Sequence, residues 1–93
     1  MQPHILKISI FESSRAAETL RLEGHLGGPW VDELRRSCDR VRSEGKQLTL
    51  DLSGVSFVDH EGVGLLRGLK RRNVELRNCS PFVQLRLEEG GLK

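Results

Sequence analysis

Three ionisable residues, Asp59, His60 and Glu61, stand side by side in this sequence. Carboxylate and imidazole groups bind metal ions, transfer protons in enzymes and provide the charges of docking surfaces. The trio follows a strongly apolar segment and precedes a leucine-rich one, so it stands where a strand gives way to a helix. Each of these chemistries requires a particular spacing, which the rest of the sequence either provides or lacks.

A metal site is not supported by the spacing. Adjacent side chains on a helix point about 100° apart, whereas helical zinc sites use histidines at i and i+4. His4 and His25 are distant in sequence, and neither lies at a ligand spacing from His60. We therefore predict neither a metal ion nor a cofactor.

Nucleophilic catalysis also lacks its usual motifs. It needs a base within hydrogen-bond reach of a nucleophile, with a third group that orients the base. Ser56, Asp59 and His60 provide the residue types, but the sequence has no GxSxG elbow and no P-loop, and its GVGLLRG segment lacks the GxGxxG order. We predict that the protein is not an enzyme.

Helix capping explains part of the trio. Aspartate is a preferred N-cap residue, and a glutamate in the first turn gains about 0.3–1 kcal/mol from the helix dipole. The glycines that follow, Gly62, Gly64 and Gly68, each cost about 1 kcal/mol relative to alanine inside a helix. Such small residues let a helix lie close against a sheet or leave room for a partner.

Composition limits the classes of function. The 93 residues are predicted to form one domain over 1–93. A net charge of +2, with one Trp, three Phe and no Tyr, does not favour a nucleic-acid partner. Without a long apolar run or a signal-peptide pattern, we expect no membrane span and a cytoplasmic location. Cys38 and Cys79 belong to no CxxC motif, so we expect reduced thiols, with a disulfide as the alternative.

The periods of the apolar residues predict the order β-β-α-β-α-β-α. Two alternating segments, 4–12 and 18–26, form a hairpin. The later elements are a helix at 30–43, a strand at 46–52 ending in a Ser53-Gly54 turn, a helix at 60–70, a strand at 73–79 and a helix at 80–89. We expect an α/β fold with a mixed sheet, strand 48–52 central and helices packed on it. The predicted core includes Leu34, Val41, Leu50, Leu52, Val55, Phe57, Leu65 and Leu66.

The segment LDLSGVSFVDHEGVGLL, residues 50–66, resembles the signature of the STAS domain family, which includes bacterial anti-sigma factor antagonists and sulfate-transporter C-terminal domains. Upstream, LRLEGHL at 20–26 is similar to the strand end of that family, and NCSPFVQLRL at 78–87 is similar to a later segment. The resemblance covers about residues 4–90 in the family's order. It implies the STAS fold and a regulatory domain that binds proteins.

Two departures concern the family's phosphorylation switch. The phosphate acceptor in the family is a Ser or Thr directly after the aspartate, and that position is His60 here, followed by Glu61. His60 is thus a degenerate phosphosite, and Gly27 replaces a common aspartate on the neighbouring loop. The resemblance therefore implies docking that a serine kinase does not control.

The resemblance predicts a transcriptional regulator similar to anti-sigma factor antagonists, with an anti-sigma factor or kinase-like protein as partner. One alternative is a STAS accessory subunit of an ABC lipid transporter that docks on the ATPase, and another is binding of a nucleotide or small ligand. A homodimer is a further option. The predicted partner-binding residues are Asp59, His60, Glu61, Gly62 and Val63 at the helix entrance, and His25, Leu26 and Gly27 on the neighbouring loop.

Overall fold

The computed structural model describes residues 5–90, so residues 1–4, including His4, and residues 91–93 lie outside the described part. Seven elements follow in the predicted order: β1 (Leu6–Ser13), β2 (Ala17–Leu26), α1 (Pro29–Ser43), β3 (Gln47–Val58), α2 (His60–Arg71), β4 (Glu75–Arg77) and α3 (Pro81–Gly90). The α/β class and the element order are confirmed. Within residues 5–90, no helix has both the length and the apolar character needed to cross a membrane.

The four strands form one mixed sheet in the order β1-β2-β3-β4. β1 pairs antiparallel with β2, whereas β2, β3 and β4 run parallel. α1 packs on β2 and β3, α2 packs on β3, and α3 contacts α2 and β3. Because β2, β3 and β4 are parallel, the loops that follow β2 and β3 meet at one edge of the sheet, where each loop leads into a helix.

The core lies between the helices and the sheet. One face of α1 contributes Val31, Leu34, Cys38 and Val41, all buried as the helical period predicts. Of the other predicted core residues, Leu50, Leu52, Val55 and Leu66 are buried and Leu65 is half-buried. The prediction for Phe57 is wrong, because its side chain is 39% exposed.

Irregular pairing between β2 and β3 explains both Phe57 and the predicted Ser53-Gly54 turn. The pairing shifts register near Gly54 and again between Val55 and Phe57. Such bulges add a residue to one strand and reset which face its side chains occupy. β3 therefore continues to Val58 instead of turning, and Phe57 points away from the core. Gly54 is required there, since a Cβ would lie 2.6 Å from Cγ of Glu23.

Glu18 closes the edge of the sheet at which β2 and β3 begin. Its carboxylate is 2% exposed and accepts hydrogen bonds from Arg40 at 2.8 Å, Lys46 at 3.2 Å and the Ser13 hydroxyl at 3.1 Å. The bond from Arg40 is the main reason that the pKa of Glu18 is lowered; burial opposes it, while Lys46 and Ser13 contribute. This carboxylate joins the hairpin, the end of α1 and the start of β3.

Candidate functional site

Asp59 connects the two loops at the opposite edge of the sheet. Its Oδ1 accepts the backbone N–H of Gly62 at 2.8 Å and so caps α2. Its Oδ2 accepts the backbone N–H of Gly28 at 3.0 Å, in the loop between β2 and α1. Burial raises the pKa of Asp59, but the N–H groups of Gly62, Gly28 and Glu61, together with Arg86, hold it below its usual value. One carboxylate therefore fixes both the start of α2 and the neighbouring loop.

The glycines of the β2–α1 loop make room for this clamp. A Cβ at Gly27 would lie 2.9 Å from Oδ2 of Asp59, which is closer than real Cβ contacts come. Gly28 has a φ of 56°, a conformation that favours glycine. A side chain at position 27 would force the Asp59 carboxylate to shift. Gly27 thus allows Asp59 to reach the loop.

Gly62 brings α2 close to the sheet. A Cβ there would lie 2.7 Å from the backbone oxygen of Leu26 and 2.9 Å from Cγ1 of Val58. Of the two roles expected for the α2 glycines, close approach applies to Gly62. Nothing lies within 4 Å of a Cβ built at Gly64 or Gly68, so these two glycines leave open space.

Two side chains on the first turn of α2 face solvent. His60 and Glu61 are exposed, and neither side chain has a hydrogen-bond or ion-pair partner among the described residues. Beside them, His25 meets Phe57 edge to face, with ring centroids 4.8 Å apart and an interplanar angle of 76°. These two rings line an opening of about 410 Å³ together with the β2–α1 loop.

The eight predicted partner-binding residues fall into two groups. His60 and Glu61 are exposed, while His25 and Gly27 are partly exposed, so all four are accessible to a partner. The other four support this surface from inside the domain. Leu26, Gly62 and Val63 are buried, and the Asp59 carboxylate accepts hydrogen bonds from backbone amides.

Phe57 is an accessible residue at this edge that the sequence analysis placed in the core. The nearest signal in the sequence was Gly54, since a glycine inside a strand often marks a bulge. Gly54 accounts for the first shift in register, which places Val55 on the buried face after Leu52. The second shift, between Val55 and Phe57, turns Phe57 outward, and no glycine of β3 marks it.

The described residues include no group of three or more His, Cys, Asp or Glu side chains placed to hold a metal ion. Cys38 and Cys79 are both free thiols. Burial is the main cause that raises the pKa of Cys38 to about 12, so this thiol is not a nucleophile at neutral pH. Burial also raises the pKa of the half-buried Cys79.

Comparison with known proteins agrees with the signature in β3 and α2. A family model described as "Mlab, STAS domain" matches residues 10–93. The solved structure of the anti-sigma factor antagonist SpoIIAA in its unphosphorylated form matches with a TM-score of 0.68 and 23% sequence identity. That match covers 84% of this chain and 78% of the SpoIIAA chain, and it shows a shared fold. Since the family model matches most of this chain, the chain belongs to the STAS domain family.

Proposed function

We propose that this STAS domain is a non-enzymatic regulatory module that docks on a protein partner. Its contact surface, called the docking edge here, consists of His25, Gly27, Phe57, His60 and Glu61. The docking edge lies at the carboxyl ends of β2 and β3, where ligands commonly bind to parallel sheets. The proposal keeps the cytoplasmic location expected from the sequence.

The observation that supports this proposal is that Asp59 fixes the backbone while its neighbours His60 and Glu61 stay exposed. Both carboxylate oxygens of Asp59 accept backbone N–H groups, which fixes the loop and the helix start before any partner binds. The side chains of His60 and Glu61 are exposed directly beside this rigid anchor. A surface held in its bound conformation loses less entropy on association, so the clamp favours docking.

Regulation by a serine kinase is not part of the proposal. A phosphoserine at the start of a helix adds about −1.5 to −2 charges and changes what docks there. Positions 60 and 61 carry no hydroxyl group. Incubation with an anti-sigma-type serine kinase and ATP should therefore leave this loop unlabelled in mass spectrometry. Phosphate on His60 or on the nearby Ser56 would contradict this expectation.

Two protein partners fit the proposal. Similarity to SpoIIAA, an anti-sigma factor antagonist, supports an anti-sigma factor or a related kinase as the first candidate. The matching family model is described as "Mlab, STAS domain" and not as an antagonist, so the ATPase of an ABC lipid transporter stays the second candidate. Binding of each candidate from the same genome, measured by calorimetry with purified proteins, separates the two.

Charge substitutions at the docking edge test whether it is the contact surface. His60→Asp and Glu61→Lys should each weaken partner binding by about tenfold or more, because each changes the charge at the centre of the surface. The effect on thermal stability should be far smaller than the effect on binding, since both side chains are exposed. Glu61→Lys should lose somewhat more stability than His60→Asp, because it places a cation at the positive end of the helix dipole. Glu12→Lys, an exposed charge reversal on β1, is the control and should leave binding unchanged.

Normal binding by both docking-edge variants would rule out this surface. Loss of binding by Glu12→Lys as well would point to a general effect of charge. A nucleotide or small ligand that raises the melting temperature, with no protein partner bound, would favour the remaining alternative. The opening between His25 and Phe57 is where we would expect such a ligand.

A further inference from the structure

A groove separates α1 from α2 on the outside of the helical layer. Its volume is about 710 Å³, and Gly64, Leu65 and Gly68 form part of its α2 side. Glu61 lies at one end of this side and Arg72 at the other. At 1.5 Å per residue, these two side chains begin about 16 Å apart along the helix axis. The groove is thus long enough for two to three turns of another helix.

Nothing inside the described part of the chain accounts for Gly64 and Gly68. Gly62 is needed because a Cβ would collide with Leu26, but a Cβ at position 64 or 68 would meet only open space. Each glycine still lowers the stability of the helix relative to alanine. Residues that weaken a helix without improving the packing inside the domain are expected where another molecule binds.

The groove face of α2 is complementary to itself when it is reversed end to end. Along the helix it presents an acid, Glu61, then Gly64, Leu65 and Gly68, and finally a base, Arg72. In a second, antiparallel copy, Gly64 faces Gly68 and Glu61 faces Arg72. Neither the Glu61 nor the Arg72 side chain has a hydrogen-bond or ion-pair partner within the described residues. Both charges are therefore available for a pair between copies.

We propose that the groove binds α2 of a second copy of this chain, forming a two-fold dimer. The axis passes near the middle of α2, so every contact occurs twice, as in any isologous interface. The missing side chains at positions 64 and 68 let the two helix backbones approach closely. The antiparallel arrangement also places the positive end of each helix dipole beside the negative end of the other.

The α1 wall of the groove affects the two ends differently. At the Glu61 end, Asp32 is ion-paired with Arg35, so Glu61 provides the main attraction for the incoming Arg72. Asp39 also lines the groove and partly opposes an incoming Glu61. Opposite charges still meet at both ends of the α2 pair. A heterologous helix would need a particular charge pattern of its own, whereas a second copy supplies the matching pattern without further assumption.

Glu61 belongs both to this interface and to the docking edge, so dimerisation and partner docking compete for it. The dimer proposal does not rest on the proposed function, because the purified chain alone is enough to test it. Monomeric protein would overturn the dimer and leave partner docking intact. Docking experiments are run at chain concentrations at which the protein is monomeric, which keeps the two proposals distinguishable.

Sedimentation velocity on the purified chain, from micromolar to about millimolar concentration, tests the dimer. The unaltered protein should show a reversible monomer–dimer equilibrium. Glu61→Arg and Arg72→Glu should each raise the dissociation constant by about tenfold or more, because like charges then meet at both ends. An equimolar mixture of these two variants should associate again, since every pair across the mixed interface has opposite charges.

A steric variant adds a control that is independent of charge. Gly68→Leu should abolish association and keep or raise the melting temperature, because its side chain fills open groove and leucine is the better helix former. Gln84→Leu adds a leucine to an exposed position of α3 and should leave association unchanged. The proposal is overturned if the unaltered chain stays monomeric at about millimolar concentration. It is also overturned if the mixture fails to associate, or if Gly68→Leu still forms dimers.

Discussion

Glu18 and Asp59 are carboxylates that hold together opposite edges of the same sheet, but they use different partners. Glu18 is bound by the side chains of Arg40, Lys46 and Ser13. Asp59 is bound by the backbone N–H groups of Gly28 and Gly62. The first edge is therefore closed by charges from within the domain. At the second edge the clamp needs no side-chain partner, so the neighbouring side chains stay available to other molecules.

This difference in partners explains why the two carboxylates have different roles. The cations that bind Glu18, Arg40 and Lys46, have their ion pairs inside the domain, with Glu18 and Glu44. Backbone N–H groups at the start of a helix are present whatever the side chains are, so Asp59 can fix the edge while His60 and Glu61 vary. The contrast predicts that the Asp59 clamp depends on its acceptor atoms and that the Glu18 clamp depends on compensating charge.

The largest effect is expected for Asp59→Ala. It should lower the free energy of unfolding by about 2–4 kcal/mol, because it removes a helix cap and a second hydrogen bond between a charged group and the loop. Asp59→Asn keeps one acceptor oxygen and should lose less. Urea denaturation of both variants measures the difference. A loss below about 1 kcal/mol for Asp59→Ala would mean that the clamp is not what holds this edge.

The next largest effect is expected for Gly62→Ala, which tests how closely α2 packs on the sheet at the Asp59 edge. Its Cβ would lie 2.7 Å from the backbone oxygen of Leu26, so α2 must shift, at a cost of about 1–3 kcal/mol. Gly64→Ala is the matched control on the open face, and it should stabilise the fold by about 0.5–1 kcal/mol. Thermal melts of the pair should move in opposite directions, and shifts of the same sign would contradict the packing described here.

Glu18→Gln should have a smaller effect, about 1–2 kcal/mol, because Arg40 and Lys46 retain access to water when their partner is lost. Glu44 offers a matched control, since it contacts the same two cations but is much more exposed. Glu44→Gln should change the free energy of unfolding by less than about 0.5 kcal/mol. Equal losses in the two variants would show that burial of Glu18 does not matter.

The smallest expected effect is the change of stability with pH that Glu18 and Asp59 cause. The folded-state pKa values of Glu18 and Asp59 lie below the ordinary values of 4.5 and 3.8. Their stabilisation is therefore fully present above those ordinary values and is lost as the pH falls through them toward the lowered folded pKa values. Urea denaturation between pH 7 and pH 3 should show stability that decreases on the acid side.

Glu18→Gln and Asp59→Asn should each reduce the decrease in stability at low pH without removing it. Asp51 keeps part of the dependence in both variants, because the N–H of Ser53 above all, with Asn78 and Arg21, also holds its pKa low. A profile as steep as that of the unaltered protein in both variants would assign the acid loss to other groups.

Much of the fold follows from local patterns in the sequence. The change from an alternating to a helical period places every element in the right order, and the signature over 50–66 identifies the family. Asp59 as N-cap of α2 is likewise readable, because its hydrogen bond to Gly62 spans three residues. The absence of a hydroxyl at positions 60 and 61 is a property of the sequence alone.

Other features were decided only by tertiary structure. The second bond of Asp59 reaches Gly28, 31 positions earlier in the chain, and depends on how β2 and β3 pair. The same pairing, with its bulges, turns Phe57 outward, since a shift of one residue moves a side chain to the other face of a strand. The sequence likewise does not distinguish Gly62 from Gly64 and Gly68. Their roles depend on what lies opposite each one, and only the packing of α2 against the sheet determines that.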